Sequence, residues 1–189
     1  MDLRESINYL LREGSRDEFG CVMLHVEFPE IKKIHQLIDK NDLYIDENDP
    51  TYGLESYPHC TLLFGLHDGV TTPEVQEVIK DYEFSPLRAH NPSIFVKDKY
   101  DVLKFEVGYT IKSGSFLTKI NNNLKEFPHT NKFPTYNPHI TIAYLKSGLG
   151  QKYVKLINEK YEDLIINPDY VMYIKPDGSQ DEIKIKIKK

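Results

Sequence analysis

Pro58-His59-Cys60-Thr61-Leu62 is repeated further along the chain as Pro138-His139-Ile140-Thr141-Ile142. Both copies run on into apolar, β-prone residues, Leu63-Phe64 after the first and Ala143-Tyr144-Leu145 after the second. Each therefore reads as a short strand entered through a proline. Side chains alternate between the faces of a strand, so His59 and Thr61 share one face while Cys60 and Leu62 share the other. His139 and Thr141 repeat the arrangement above Ile140 and Ile142. Each copy presents an imidazole and a hydroxyl side by side over an apolar layer suited to a core.

The surrounding elements alternate in a way that places the two copies equivalently. Upstream of the first copy, residues 19–28 alternate as a strand, with Val22, Leu24, Val26 and Phe28 on one face. Ile31, Ile34, Leu37 and Ile38 then have helical spacing, and residues 44–58 form a long polar loop. The first motif strand covers 59–65, and a helix opens at Thr72-Pro73-Glu74 and runs through Tyr82. Residues 93–97 and 102–109 form a hairpin. Residues 115–127 are an amphipathic helix, and a Pro-punctuated loop over 128–138 leads to the second motif strand, 139–145. A helix through Tyr153, Leu156, Ile157 and Tyr161 and strands over 171–175 and 183–187 complete the chain. The order is β-α-β-α-β-β followed by α-β-α-β-β, a repeat of architecture and motif with almost no wider identity. Two lobes follow from it, each an antiparallel sheet with helices outside, facing one another across a central groove.

Composition sets limits on what such a groove can hold. The 189 residues suffice for one substantial core without staples, so residues 19–189 are read as a single bilobal domain. Residues 1–18 are an N-terminal arm, or a short helix over 4–13 that Gly14 ends. A net charge of −5 argues against a broad footprint for duplex nucleic acid or a membrane surface, but leaves room for a small anionic ligand. Cys21 and Cys60 lie in apolar runs with no CxxC spacing, which reads as buried free thiols in a reducing compartment. No apolar signal core or membrane-length run is present, so a cytoplasmic location is expected. Oligomeric state is not legible.

Two histidines and two threonines in one groove suit a specific reaction. Cleavage of a phosphodiester by an internal ribose 2′-hydroxyl needs a base for the attacking oxygen and an acid for the departing 5′-oxygen. Imidazole serves both roles near neutral pH, and hydroxyl donors serve the non-bridging oxygens where negative charge collects. The scheme needs no metal and no cofactor, and neither HExxH nor CxxC spacing offers a metal site. The acidic loop at Asp46, Glu47 and Asp49 lacks the calcium-loop register. A lone His-x-Thr in a strand is ordinarily structural; two copies in equivalent places point to catalysis. His25, His35, His67, His90 and His129 have no such echo.

The paired motifs resemble the signatures of the 2H phosphoesterase superfamily, which includes 2′,5′ RNA ligase-like and cyclic phosphodiesterase enzymes. That resemblance implies an α+β, two-lobed, pseudo-symmetric fold and catalytic roles for His59, Thr61, His139 and Thr141. The longer blocks from Tyr52 to Leu66 and from Asn137 to Lys146 resemble the phage anti-CBASS nucleases. They imply metal-independent opening of cyclic di- and trinucleotides such as 3′,3′-cyclic GMP-AMP, and evasion of bacterial antiphage immunity. RNA-end chemistry and non-catalytic sequestration of a nucleotide remain the alternative readings. Stacking on a base suits aromatic rings, and with no Trp in the chain the candidates for substrate contact are Tyr136, His25 and Tyr173. Lys146, in a basic loop with Gly148, Gly150 and Lys152, is the candidate to reach a phosphate, either as part of a lid or in a simple strand-to-helix turn.

Overall fold

Alternating apolar residues over Gly20–Glu27 make the first strand, β1, and Pro29 ends it before a short helix α1, Ile31–His35. The computed structural model describes residues 19–109 and 116–188; the helix read over 4–13 lies outside the described residues. A loop containing one 3-10 turn leads to β2, His59–Leu66. Helix α2, Thr72–Lys80, starts with Pro73 in its first turn and with the Thr71 N–H donating to the Glu74 carboxylate at 2.8 Å. Then come β3 (Glu83–Phe84), β4 (Leu87–Val96), β5 (Tyr100–Tyr109) and α3 (Phe116–Leu124). The second motif strand is β6, His139–Lys146, followed by α4 (Gly150–Asn158), β7 (Asp163–Ile174), β8 (Gln180–Lys184) and β9 (Lys186–Ile187).

Two strands are longer than the pattern predicts, and proline is the reason in both. β4 begins at Leu87, not Ser93, because Asn91-Pro92 forms a bulge inside it. Pairing with β5 jumps from His90–Glu106 to Ser93–Lys104, and Asn91 has a φ of 51°. β7 begins at Asp163, not Val171, and carries Pro168 where its register against β1 shifts. The loop read after β6 is a tight turn. Gly150 opens α4, its N–H donating to the buried Asp101 carboxylate at 2.8 Å, and Lys152 pairs with Asp42.

The strands are ordered β2-β1-β7-β4-β5-β6, with β8 also on β7, and their pairings are antiparallel. This order is a palindrome of the repeat. Each half of the chain is β-α-β-α-β, with β1 matching β5, β2 matching β6 and β4 matching β7. The third strand of each half has crossed into the other half's sheet: β4 lies against β5 and β7 against β1. The break between halves thus falls at the 97–99 turn, inside the hairpin. One face buries Val22, Leu24, Cys60, Leu62, Leu103, Phe105, Ile140 and Ile142 against Ile34, Val75, Ile79, Leu117, Ile120 and Ile157 of the helices. At about 25 cal/mol per Å2, this apolar layer is the main force holding the lobes.

Candidate active site

Each motif histidine is fixed in the same way. His59 Nδ1 lies 2.9 Å from the carbonyl of Tyr57, and His139 Nδ1 lies 2.9 Å from the carbonyl of Asn137. A carbonyl only accepts, so Nδ1 carries the hydrogen in both rings, and Nε2 is left for proton transfer. The peptides before the rings match too, with Val26 N–H donating to the Pro58 carbonyl and Val107 N–H to the Pro138 carbonyl.

A bulge follows each His-x-Thr. β1 pairs Val22 with Leu63 and Met23 with Thr61, leaving Leu62 without a partner; β5 pairs Leu103 with Ala143 and Lys104 with Thr141, leaving Ile142 without one. Bulges re-aim a strand beside a site, and here both carbonyls freed by the bulge are caught by residues from the other half of the chain. Asn121 of α3 donates Nδ2 to the Leu62 carbonyl at 2.6 Å. The Ile142 carbonyl receives His35 Nε2 of α1 at 3.1 Å and the Glu55 N–H at 2.9 Å. The loop before each motif also crosses. Residues 53–55 pair with β6 through Tyr144 N–H to Gly53 and Glu55 N–H to Ile142, while Thr130 N–H donates to Gly65 of β2 at 2.9 Å.

These crossings bring the two motif strands together. His59, Thr61, His139 and Thr141 all line one groove of about 580 Å3, with Phe95, Lys97, Phe133 and Tyr136 among its other walls. Its floor is unequal. On the first lobe Cys21, Met23, Met172 and Ile174 form a small apolar cluster with Phe64 and Tyr170. On the second lobe Lys104 is buried, its Nζ donating to Ser93 Oγ at 2.8 Å.

Burial lowers the pKa of His139; Lys104 and His59 lower it further, and the Asn137 carbonyl works against them. Burial and then the charge of His59 bring His25 down to about 4. The Cys60 thiol is pushed up to about 11 by burial, which makes it a packing group and not a nucleophile. Chemically, the groove offers two imidazoles for opposite proton transfers and two hydroxyls for an anionic oxygen.

The other candidates for substrate contact fall in different places. Tyr136 lines the groove, with its OH donating to the Thr61 carbonyl at 3.0 Å. His25 is buried behind His59, stacked on Tyr170 at 4.6 Å between centroids and inclined by 10°. Tyr173 does not border the groove: it is wholly buried in the main core, and its OH donates to the Val70 carbonyl at 2.9 Å. Lys146 sits at the end of β6 and donates to the Asn41 carbonyl at 2.7 Å, away from the groove. Sequence reading missed Asn121, Glu55, Lys104 and Phe95. Only Lys104, a cation in the middle of an apolar strand pattern, carried a local signal.

No family model matches the chain, and no curated protein matches it in sequence. Among solved structures, Kluyveromyces marxianus Usb1 superposes with a TM-score of 0.57 at 10% identity, covering 89% of this chain and 98% of that one. The same protein with uridine monophosphate gives 0.55 at 8% identity, covering 89% and 99%. The fold is therefore shared with Usb1 over nearly its full length.

Proposed function

We propose that the chain is a 2H-type phosphodiesterase that cleaves 3′-5′ bonds of cyclic di- and trinucleotides. In this reading His59 and His139 exchange protons with the attacking and leaving oxygens, and Thr61 and Thr141 donate to the non-bridging oxygens of the phosphate. The observation that carries it is the meeting of two equivalent His-x-Thr surfaces in one groove. Each histidine has Nδ1 occupied by a backbone carbonyl. The cyclic substrate rests on the resemblance of residues 52–66 and 137–146 to the phage anti-CBASS nucleases. An enzyme of that kind acts in the host cytoplasm and removes the messengers of antiphage defence.

A second reading keeps the chemistry and changes the substrate to RNA ends. It draws on the fold shared with Usb1, one structure of which holds uridine monophosphate. Incubation with cyclic dinucleotides, cyclic trinucleotides and short RNAs in EDTA, followed by product identification, separates the two. Rapid opening of the cyclic substrates in EDTA is the expected result; turnover of RNA ends alone selects the second reading. Recovery of a bound nucleotide unchanged after long incubation supports sequestration without cleavage. Analogues lacking the 2′-hydroxyl are expected to be inert, and their cleavage at a similar rate excludes internal attack.

A further inference from the structure

The four motif residues are near-symmetric, but the charges behind them are not. Register sets Met23 of β1 opposite Thr61 and Lys104 of β5 opposite Thr141, so a thioether in one lobe is an ammonium in the other. Lys104 is buried, and its Nζ lies 4.5 Å from the centre of the Phe95 ring. That ring meets His139 edge-on at 5.0 Å. On the first lobe a carboxylate takes the corresponding part. Glu55 is buried and accepts the Tyr57 N–H at 2.8 Å, while the Tyr57 carbonyl holds His59. One residue thus anchors both the carboxylate and the imidazole. Four positions before His139 stands Thr135, which is neutral.

We infer that this asymmetry assigns the proton roles: His139, beside the Lys104 ammonium, is the base, and His59, beside Glu55, is the acid. Lys104 and Glu55 are then positioning residues, a cation on the side of His139 and a carboxyl group on the side of His59. The inference rests on the phosphodiesterase reading above. A nearby cation disfavours an imidazolium and a nearby carboxylate favours one. Burial holds the pKa of His139 down and Lys104 lowers it further; burial raises the pKa of Glu55, with His59 working against it, and burial lowers that of Lys104, with Glu106 working against it. The other ionisable groups facing His139 are Glu106, its register partner on β5, and His59; Lys97 lines the groove nearby. Glu106 Oε2 is engaged by Asn91 Nδ2 at 3.2 Å. Facing His59 are His25, whose pKa is about 4, and Tyr170 stacked on it.

The step balances. The 2′-oxygen bonds to phosphorus as its proton passes to His139 Nε2. The bond from phosphorus to the 5′-oxygen breaks as His59 Nε2–H gives its proton to that oxygen. A 2′,3′-cyclic phosphate and a free 5′-hydroxyl result, and the two rings have exchanged charge states.

The test compares a 3′-5′ diester with uridine 3′-(4-nitrophenyl phosphate), whose phenolate departs without a proton. His59→Ala is expected to lose on the order of 10²-fold or more on the diester and to recover turnover on the nitrophenyl ester. His139→Ala is expected to lose on both. Rescue of His139→Ala and not of His59→Ala overturns the assignment, and undiminished diester cleavage by both variants overturns the phosphodiesterase reading itself. In pH profiles of kcat/KM, Lys104→Met is expected to move the acidic limb up and leave the alkaline limb in place, and Lys104→Arg to restore it. Glu55→Gln, which needs no repacking, is expected to move the alkaline limb down. Movement of the opposite limb by either variant, or of neither limb by both, refutes the role given to these charges.

Discussion

At the scale of single residues, His25 shows how an imidazole beside a reaction centre differs from one within it. It is buried, stacked on Tyr170, and has a pKa lowered from 6.5 to about 4. In the unfolded chain it binds a proton more readily than in the fold, so its neutral burial favours the native state fully above pH 6.5. That contribution is lost as the pH falls through about 4. The shift corresponds to roughly 3 kcal/mol. Urea unfolding between pH 7 and pH 4 is expected to show this loss in the native protein and a flatter dependence in His25→Phe. An equal slope in both would assign the acid sensitivity to other groups. His59 and His139 instead reach the groove. Each alanine replacement is expected to lower kcat by on the order of 10²- to 10⁴-fold with little change in Tm, checked by turnover assays and thermal melts on the same preparations.

At the scale of elements, the two bulges give the site its shape, and each depends on a bond from the other half of the chain. Removing the Asn121 amide leaves the Leu62 carbonyl buried without its donor, a cost of about 1–3 kcal/mol. Asn121→Ala is expected to lower Tm by several degrees and to reduce kcat as Thr61 loses its placement; unchanged Tm would show that another donor takes over. Gly65 is a second such point. It has φ of +98°, and a Cβ there would stand 3.0 Å from Thr130 Oγ1 and 3.1 Å from Asn131 N. Gly65→Ala is expected to cost about 1–3 kcal/mol in urea titration, because strand β2 and the crossing loop meet there. Neither position was legible in the sequence. The His-x-Thr strands were, since their alternation is local and repeated. The partners of Leu62 and Ile142, and the approach of Lys104 and Glu55 to the histidines, come from pairings between distant segments. Pro92 and Pro168 hid the first parts of β4 and β7 for a related reason: a bulge tolerates the proline that a regular strand excludes.

At the scale of the whole molecule, the exchange of third strands makes the lobes and the halves of the sequence different things. Cutting the chain between Asp98 and Lys99, at an exposed turn, leaves β1 paired with β2 in the first piece. It strips β4 of both its partners, β5 and β7. The second piece keeps β5 with β6 and β7 with β8, but no strand pairing within it joins the two pairs, because β4 supplied that link. The crossing loops divide in the same manner: residues 53–55 lose β6 and Thr130 loses Gly65. An isolated pair of strands is marginal in water, so neither piece is expected to unfold cooperatively by circular dichroism. Mixed or co-expressed, they are expected to regain a single urea transition, and activity should return with it because His59 and His139 lie on different pieces. A sigmoidal transition from either piece alone would show that one half of the chain is self-sufficient. The groove would then be a seam between two independent units, and the strand exchange a consequence of their docking instead of its cause.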